Sequence, residues 1–349
     1  MPLFDEDRKK YLLEVREEVK RDIYKLEKAI LTLEKKEKTY TADEVIAIYK
    51  ASEGKNSFFL FMRDIIEGTK QLGKISMSEK YTTTLNSFIR FRDRKDIALE
   101  EIDSDLMAAY EVFLKTQGLC PNTSSFYMRN LRAVYNRAVE KKLTPQQYPF
   151  KHVYTGIDKT VKRAISLEEI RQIKELDLSR NPSLAYSRDL FLFCFYTRGM
   201  SFIDVTFLKK KDLNNGFFSY RRKKTGQLLS VRWENCMQEI TDRYTIEESP
   251  YLLPIIRKSG ENERKQYKNA SYFVNRNLKI IGKLLKLPIP LTMYVARHTW
   301  ASIARSKNIP ISVISEGMGH DSEITTQIYL ASLDTTLIDK ANDLILKSL

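Results

Sequence analysis

The stretch Leu291–Tyr329, LTMYVARHTWASIARSKNIPISVISEGMGHDSEITTQIY, decides how the rest of this chain reads. Arg297-His298-Thr299 opens an apolar helical run and Gly317-Met318-Gly319-His320 breaks the next one. Tyr329 follows nine residues after His320. An arginine, an imidazole and a phenol drawn from one such stretch suit a particular chemistry. A tyrosine oxygen can attack a phosphodiester while neighbouring cations neutralise the charge on the phosphorane. Tyr329 is one tyrosine among 19, so its placement in TTQIY singles it out rather than its type.

R-H-T, then G-H, then a tyrosine, in this order and spacing, resembles the C-terminal half of the tyrosine recombinase (phage integrase) family. The family signature is roughly H-x-x-R-H-T, then L-G-H, then the nucleophilic tyrosine. The resemblance implies Tyr329 as nucleophile, with Arg297 and His320 at the phosphate. It also places His298 at the family's H-T step, where a buried structural histidine is expected. Two departures stand out. Three residues before Arg297 the family has histidine, whereas this chain has Tyr294, whose phenol can donate a hydrogen bond but carries no charge. The second is in YTRGMSFIDVTFLKKKDL, residues 196–213. The family motif there is T-G-x-R-x-S-E, with leucine four and aspartate eight residues after the acid. Asp204, Leu208 and Asp212 keep that spacing, which puts Ser201 where the family has its first catalytic arginine. Arg198 lies three residues earlier and, on a helix, would project near the same locus. A displaced arginine of this kind resembles integrases from mobile elements of the Bacteroides group.

Arg222 is a rival source of that guanidinium. Phe217–Trp233 reads as a hairpin, FFSYRRK and QLLSVRW around the turn Lys224-Thr225-Gly226. The resemblance makes Lys224, at the tip, the lysine that protonates the departing 5′ oxygen. Arg222 is two residues before it and shares its strand face if pairing persists to the tip.

Composition fits a polyanionic partner. Lys+Arg number 59 against 45 Asp+Glu in 349 residues, a net charge of +14. Such a balance favours phosphate by counterion release. Cys120, Cys194 and Cys236 lie far apart without ligand spacing, so neither a disulfide framework nor a metal site is indicated. No apolar signal segment or membrane-length run is present, which suggests a soluble cytoplasmic protein; the family resemblance implies a bacterial one associated with the nucleoid.

The expected fold class is mainly α with a small β-hairpin or sheet. Residues 1–39 form a charged helix whose Leu12, Val15, Val19, Ile23, Leu26, Ile30 and Leu33 step by three or four. That face would either pack on the next domain or make a short coiled coil. Residues 40–150 read as a helical domain resembling the recombinase core-binding domain. Its helix from Pro121 carries Asn122, Thr123, Arg129 and Arg132, which either form a solvated face or contact phosphate. A basic linker is expected over 151–165, and a mixed α/β catalytic domain over 166–349. Leu184–Tyr196 is apolar nearly all round and should form its buried centre. In the tail, Ile338, Ala341, Leu344, Ile345 and Leu349 recur at helical spacing. Such a helix would fold back on its own domain or dock on a neighbouring subunit, as it does in relatives.

The resemblance implies a site-specific DNA recombinase that works through a 3′-phosphotyrosyl link without metal, nucleotide or other cofactor. Double-stranded DNA, a homo-tetramer on two sites and accessory DNA-bending or directionality proteins are the partners it implies. Nicking and resealing by a type IB topoisomerase, or a catalytically inactive DNA-binding protein on the same scaffold, are the alternatives.

Overall fold

The computed structural model describes residues 3–34, 39–46, 49, 57–158, 163–330, 342–343 and 345–348. The chain folds as two compact units, Met1–Lys159 and Thr160–Leu349. Helices dominate both, and one three-stranded antiparallel sheet accompanies them, as the sequence patterns predict.

In the first unit α1 spans Leu3–Glu34. Ala29 on it is buried, whereas Leu12, Val19 and Ile23 are exposed. After a helical segment at 42–46 come α2 (Phe58–Gln71), α3 (Ile75–Phe91), α4 (Ser104–Thr116) and α5 (Pro121–Glu140). Ser57 starts α2 by accepting from the Leu60 amide at 3.0 Å, which satisfies one orphan donor of the first turn. Its hydroxyl donates to Asp96, whose carboxylate also accepts from the amides of Phe59 and Ile97. Aromatic rings fill the core, with Phe58 and Tyr110 both edge-on to Phe88. The buried Tyr110 hydroxyl donates to Ser87 at 2.8 Å, so its polar end is satisfied. Residues 150–158, most of which the sequence assigns to a linker, pack on this unit. Phe150 and Val153 are buried in its core. The Tyr154 amide donates to Glu111 at 2.8 Å and Ser125 donates to the Gly156 carbonyl at 2.6 Å.

The second unit begins with α6 (Leu167–Glu175), closed by a reciprocal capping box between Ser166 and Glu169. Then follow α7 (Pro182–Tyr196), the short α8 (Phe202–Thr206), and strands β1 (Leu213–Asn214), β2 (Phe217–Arg221) and β3 (Leu228–Arg232). Helices α9 (Asn235–Tyr244), α10 (Glu263–Leu284), α11 (Met293–Ser306), α12 (Ile311–Met318) and α13 (Glu323–Tyr329) complete it. Because the C-terminal half of α7, Leu190–Tyr196, is apolar on every side, α7 is the helix the others surround, and α9, α10 and α11 all pack on it. Its one buried carboxylate, Asp189, accepts from Arg188, Arg243 and Tyr244 at 2.8–2.9 Å and ties α7 to α9. Asn275 on α10 accepts from the Met293 amide at 2.9 Å and so fixes the start of α11. In the sheet Phe217 pairs with Arg232 and Arg221 with Leu228, which turns Phe218 and Val231 into the core.

Among the described residues no helix is long and apolar enough to cross a membrane. Of the expected tail helix, Ile338, Ala341, Leu344 and Leu349 lie outside the described residues, and Ile345 is exposed.

Candidate active site

Arg297 sits on the second turn of α11 and is only 3% exposed. A buried guanidinium must spend its donors, and this one gives NH1 to the Gly199 carbonyl and NH2 to the Met318 carbonyl, both at 2.7 Å. NH2 also lies 2.9 Å from His320 Nε2. Gly199 makes the approach feasible, since a Cβ there would stand 2.8 Å from Arg297 Cα, and its φ is +69°. His320 arrives by a helix stop. Gly319 takes the left-handed conformation after α12, its amide donates to Glu316, and the His320 amide donates to Ser315 at 3.0 Å. This 6→1 bond is the Schellman closure, and it locks the histidine backbone.

Guanidinium groups do not accept hydrogen bonds, so His320 Nε2 is the acceptor from Arg297. The ring proton is then on Nδ1, which lies 2.7 Å from Thr326 Oγ1. Burial, then the charges of Arg297, Arg222 and Lys224, push the His320 pKa down to about 3. His320 is therefore a neutral imidazole at physiological pH, able to accept a proton.

The hairpin brings two further charges. Backbone pairing ends at Arg221–Leu228, and a tighter turn follows in which the Arg222 amide donates to Gln227 and the Gly226 amide to Arg222. Phe218, Tyr220 and Arg222 keep the inward parity of β2, and Arg222 is 4% exposed. Its NH1 donates to the Gly319 carbonyl, next to His320. Its Nε is buried without a hydrogen-bond partner among the described residues. Lys224 is exposed at the tip, so the two cations do not share a face. Between them, Lys223 lies 4.0 Å over the Phe207 ring.

Asp204 holds the tip in place, which its spacing in the sequence signals without giving it a role. It is buried, and its carboxylate accepts from the Lys223 amide at 2.8 Å and from the Ser201 hydroxyl at 2.5 Å. Ser201 is thereby committed to Asp204 at the start of α8. Arg198 is not on a helix. It takes φ +60° after α7 ends, and its NH1 donates to the Ser230 carbonyl of β3 at 3.3 Å. Its Cδ is 3.8 Å from where a Cβ of Gly317 would stand, so Arg198 too comes to the Gly317–His320 turn. Tyr294, 48% exposed, packs edge-on against the buried His298, their rings 4.6 Å apart. Tyr329 ends α13, the helix that also carries Thr326, and its side chain lies outside the described residues.

The candidates of the first unit are separate. Asn122 spends both ends of its amide on the Asp158 backbone, at 2.9 and 2.8 Å, and so clasps the chain after α5 instead of facing outward. Thr123 lies 3.2 Å from the Cys120 sulfur. Arg129 donates to the Ser125 carbonyl and the exposed Arg132 to Thr155, each at 3.3 Å, with donors to spare.

Comparison with known proteins finds relatives of the chain and of its fold. Residues 57–153 match the phage integrase SAM-like domain. The tyrosine recombinase XerA of Pyrococcus furiosus is 26% identical over 310 residues, covering 84% of this chain and 91% of the relative. Among solved structures, the λ integrase dimer bound to a COC′ core site superposes with a TM-score of 0.61 at 16% identity, covering 79% of this chain and 78% of the other. The λ integrase tetramer bound to a Holliday junction gives 0.61 at 15% identity, covering 78% and 80%. The helical fold with its small sheet is that of these integrases, and the chain is similar over most of its length to tyrosine recombinases.

Proposed function

We propose that this chain is a site-specific DNA recombinase that breaks and rejoins DNA through a 3′-phosphotyrosyl intermediate. One observation carries the reading: Arg297, Arg222 and His320 are buried around a single turn, with Lys224 at the rim. Two guanidinium groups held in a water-poor site, with an ammonium group at its rim, stabilise a phosphorane with little reorganisation as its charge develops. In the forward step the Tyr329 oxygen bonds to phosphorus and the P–O5′ bond breaks. The phenol proton passes to His320 Nε2, and Lys224 protonates the departing 5′ oxygen. The 5′ hydroxyl of the partner strand reverses these transfers and releases the tyrosine, so no net proton or energy source is consumed.

Arg222 supplies the guanidinium that Ser201 lacks, with Arg198 as a second contact, and Tyr294 offers a neutral hydrogen bond at the rim. Arg129 and Arg132 of the first unit contact the DNA backbone, which fixes register without reading sequence. Strand exchange needs two duplexes and four tyrosines, and the λ integrase tetramer on a Holliday junction is the arrangement this chain would adopt. Acting on chromosomal sites, it would work at the nucleoid, with accessory proteins setting direction.

A nicked suicide substrate tests the reading, because loss of the short 5′ fragment traps the covalent intermediate. Wild-type protein should accumulate a protein–DNA adduct, and Tyr329→Phe should bind the same DNA and form none. Adduct at the wild-type level from Tyr329→Phe removes this tyrosine from the mechanism.

A further inference from the structure

We propose that Thr326 is a positioning residue for this reaction: its hydroxyl holds His320 in the tautomer whose Nε2 lone pair faces the guanidinium cluster, from the helix that also presents Tyr329. The assignment rests on the recombinase reading for its consequence and on geometry for its existence. His320 Nδ1 and Thr326 Oγ1 are 2.7 Å apart, and both residues are buried. A hydroxyl can donate or accept, so Thr326 alone does not choose the tautomer. The two ends of the ring fix it together. Arg297 NH2 stands 2.9 Å from Nε2, and a proton there would set two donors against each other. The threonine must therefore accept from Nδ1–H.

Thr326 also joins two elements that the chemistry needs together. It lies on α13 (Glu323–Tyr329), one turn before the nucleophile's position, so a displacement of that turn carries both residues. The same turn is anchored by Leu330, which is buried in the cluster with Ala301, Ala304, Ile314 and Met318 and whose amide donates back to the Thr326 carbonyl at 3.2 Å. Undocking α13 would break the Thr326–His320 bond and free the ring to rotate. Docking it orients the proton acceptor and brings in the nucleophile in one movement. A scissile phosphate would take the Arg297 donor now shared with Nε2, leaving that lone pair for the phenol proton. Nδ1–H stays on Thr326 throughout, so the imidazolium forms without any rearrangement of the ring.

The chain has only 3 histidines, His152, His298 and His320, which makes the ring nitrogens separable by NMR in protein labelled with 15N-histidine. DNA-free wild type should show His320 protonated on Nδ1 and bare on Nε2. Thr326→Val, similar in shape but without the oxygen, should lose that single tautomer, while unchanged His152 and His298 signals report an intact fold. Its single-turnover cleavage should fall at least ~10-fold, part of the roughly 10²–10⁴ that a general base contributes. DNA binding should stay within about twofold, since the phosphate-facing cations are untouched. Thr326→Ser, which restores the oxygen, should recover both tautomer and rate. A wild-type His320 protonated on Nε2, or a Thr326→Val enzyme cleaving at the wild-type rate, overturns the proposal. Failure of the wild type to form any adduct would instead sink the recombinase reading, and the DNA-free spectra would still decide the hydrogen bond.

Discussion

Three arginines converge on the Gly317–His320 turn, and they differ in what the fold has done with them. Arg297 is committed to two carbonyls and His320, Arg198 is half-buried and leans on Ser230, and Arg222 is buried with its Nε unpartnered among the described residues. A buried donor without an acceptor costs about 1–3 kcal/mol, which a phosphate oxygen would offset when DNA binds. Arg222 is also among the charges that hold His320 neutral, whereas Arg198 is not. Arg222→Ala should therefore slow cleavage by at least ~100-fold, the scale of one transition-state contact, and Arg198→Ala by less. Single-turnover cleavage of a suicide substrate by the two variants decides it. The reverse ranking would return the displaced arginine before α8 to the central role. Arg222→Lys should not rescue, because an ammonium on a flexible stem cannot keep the Gly319 contact and offer a second planar donor at once.

At the scale of elements, the second unit depends on α7 and on the one charge that α7 buries. Asp189 gathers Arg188, Arg243 and Tyr244, so its removal leaves Arg188 short of its partner and unties α9. Asp189→Ala should destabilise this unit by about 3 kcal/mol, at the low end for breaking a buried pair because Arg243 is half exposed. Chemical denaturation followed by the unit's own tryptophans, Trp233 and Trp300, would measure it. Less than ~0.5 kcal/mol would mean that the ion cluster is ornamental. The centrality of α7 is legible in the sequence, because LFLFCFY has no polar face to give to water. So is the hairpin, whose strand alternation and K-T-G turn are local. The capping box at Ser166 is local too, and the structure keeps it. What the sequence does not carry is side-chain direction where an element ends. Whether Arg222 faces in or out depends on strand parity outlasting backbone pairing by one residue. Arg198 looks like a helical residue by spacing but sits in a left-handed turn. The neutral state of His320 comes first from its burial and then from charges on α11 and the hairpin, and nothing near His320 in the chain announces it. Asn122 reads as a helix-start polar group, and its partner Asp158 is 36 residues away.

At the scale of the molecule, the two units answer different parts of one problem. In the proposed reaction the first would offer Arg129 and Arg132 to the duplex, and the second would hold the reacting phosphate. A net charge of +14 makes the first encounter electrostatic, so affinity for a single site should fall steeply with salt. Pairing of sites is a separate event and needs protein–protein contact. The sequence after Tyr329 supplies a segment for it, since Ile338, Ala341, Leu344, Ile345 and Leu349 recur at helical spacing and would give a helix one apolar side. An apolar side must be buried somewhere, either on its own subunit or on the next. In the proposed tetramer the second choice links each tyrosine helix to a neighbour, and that suits exchange of strands in pairs. Truncation after Asp334 separates the two. If the tail docks on a neighbour, the shortened protein should bind one site with nearly wild-type affinity, since phosphate contacts are unaffected. It should also fail to assemble two sites, seen as loss of the slow-migrating paired complex and of recombinant product. If the tail folds back on its own unit, truncation should instead lower thermal stability and leave synapsis in proportion to the folded fraction. Recombination at the wild-type rate by a fully folded truncation would exclude the tail from assembly altogether.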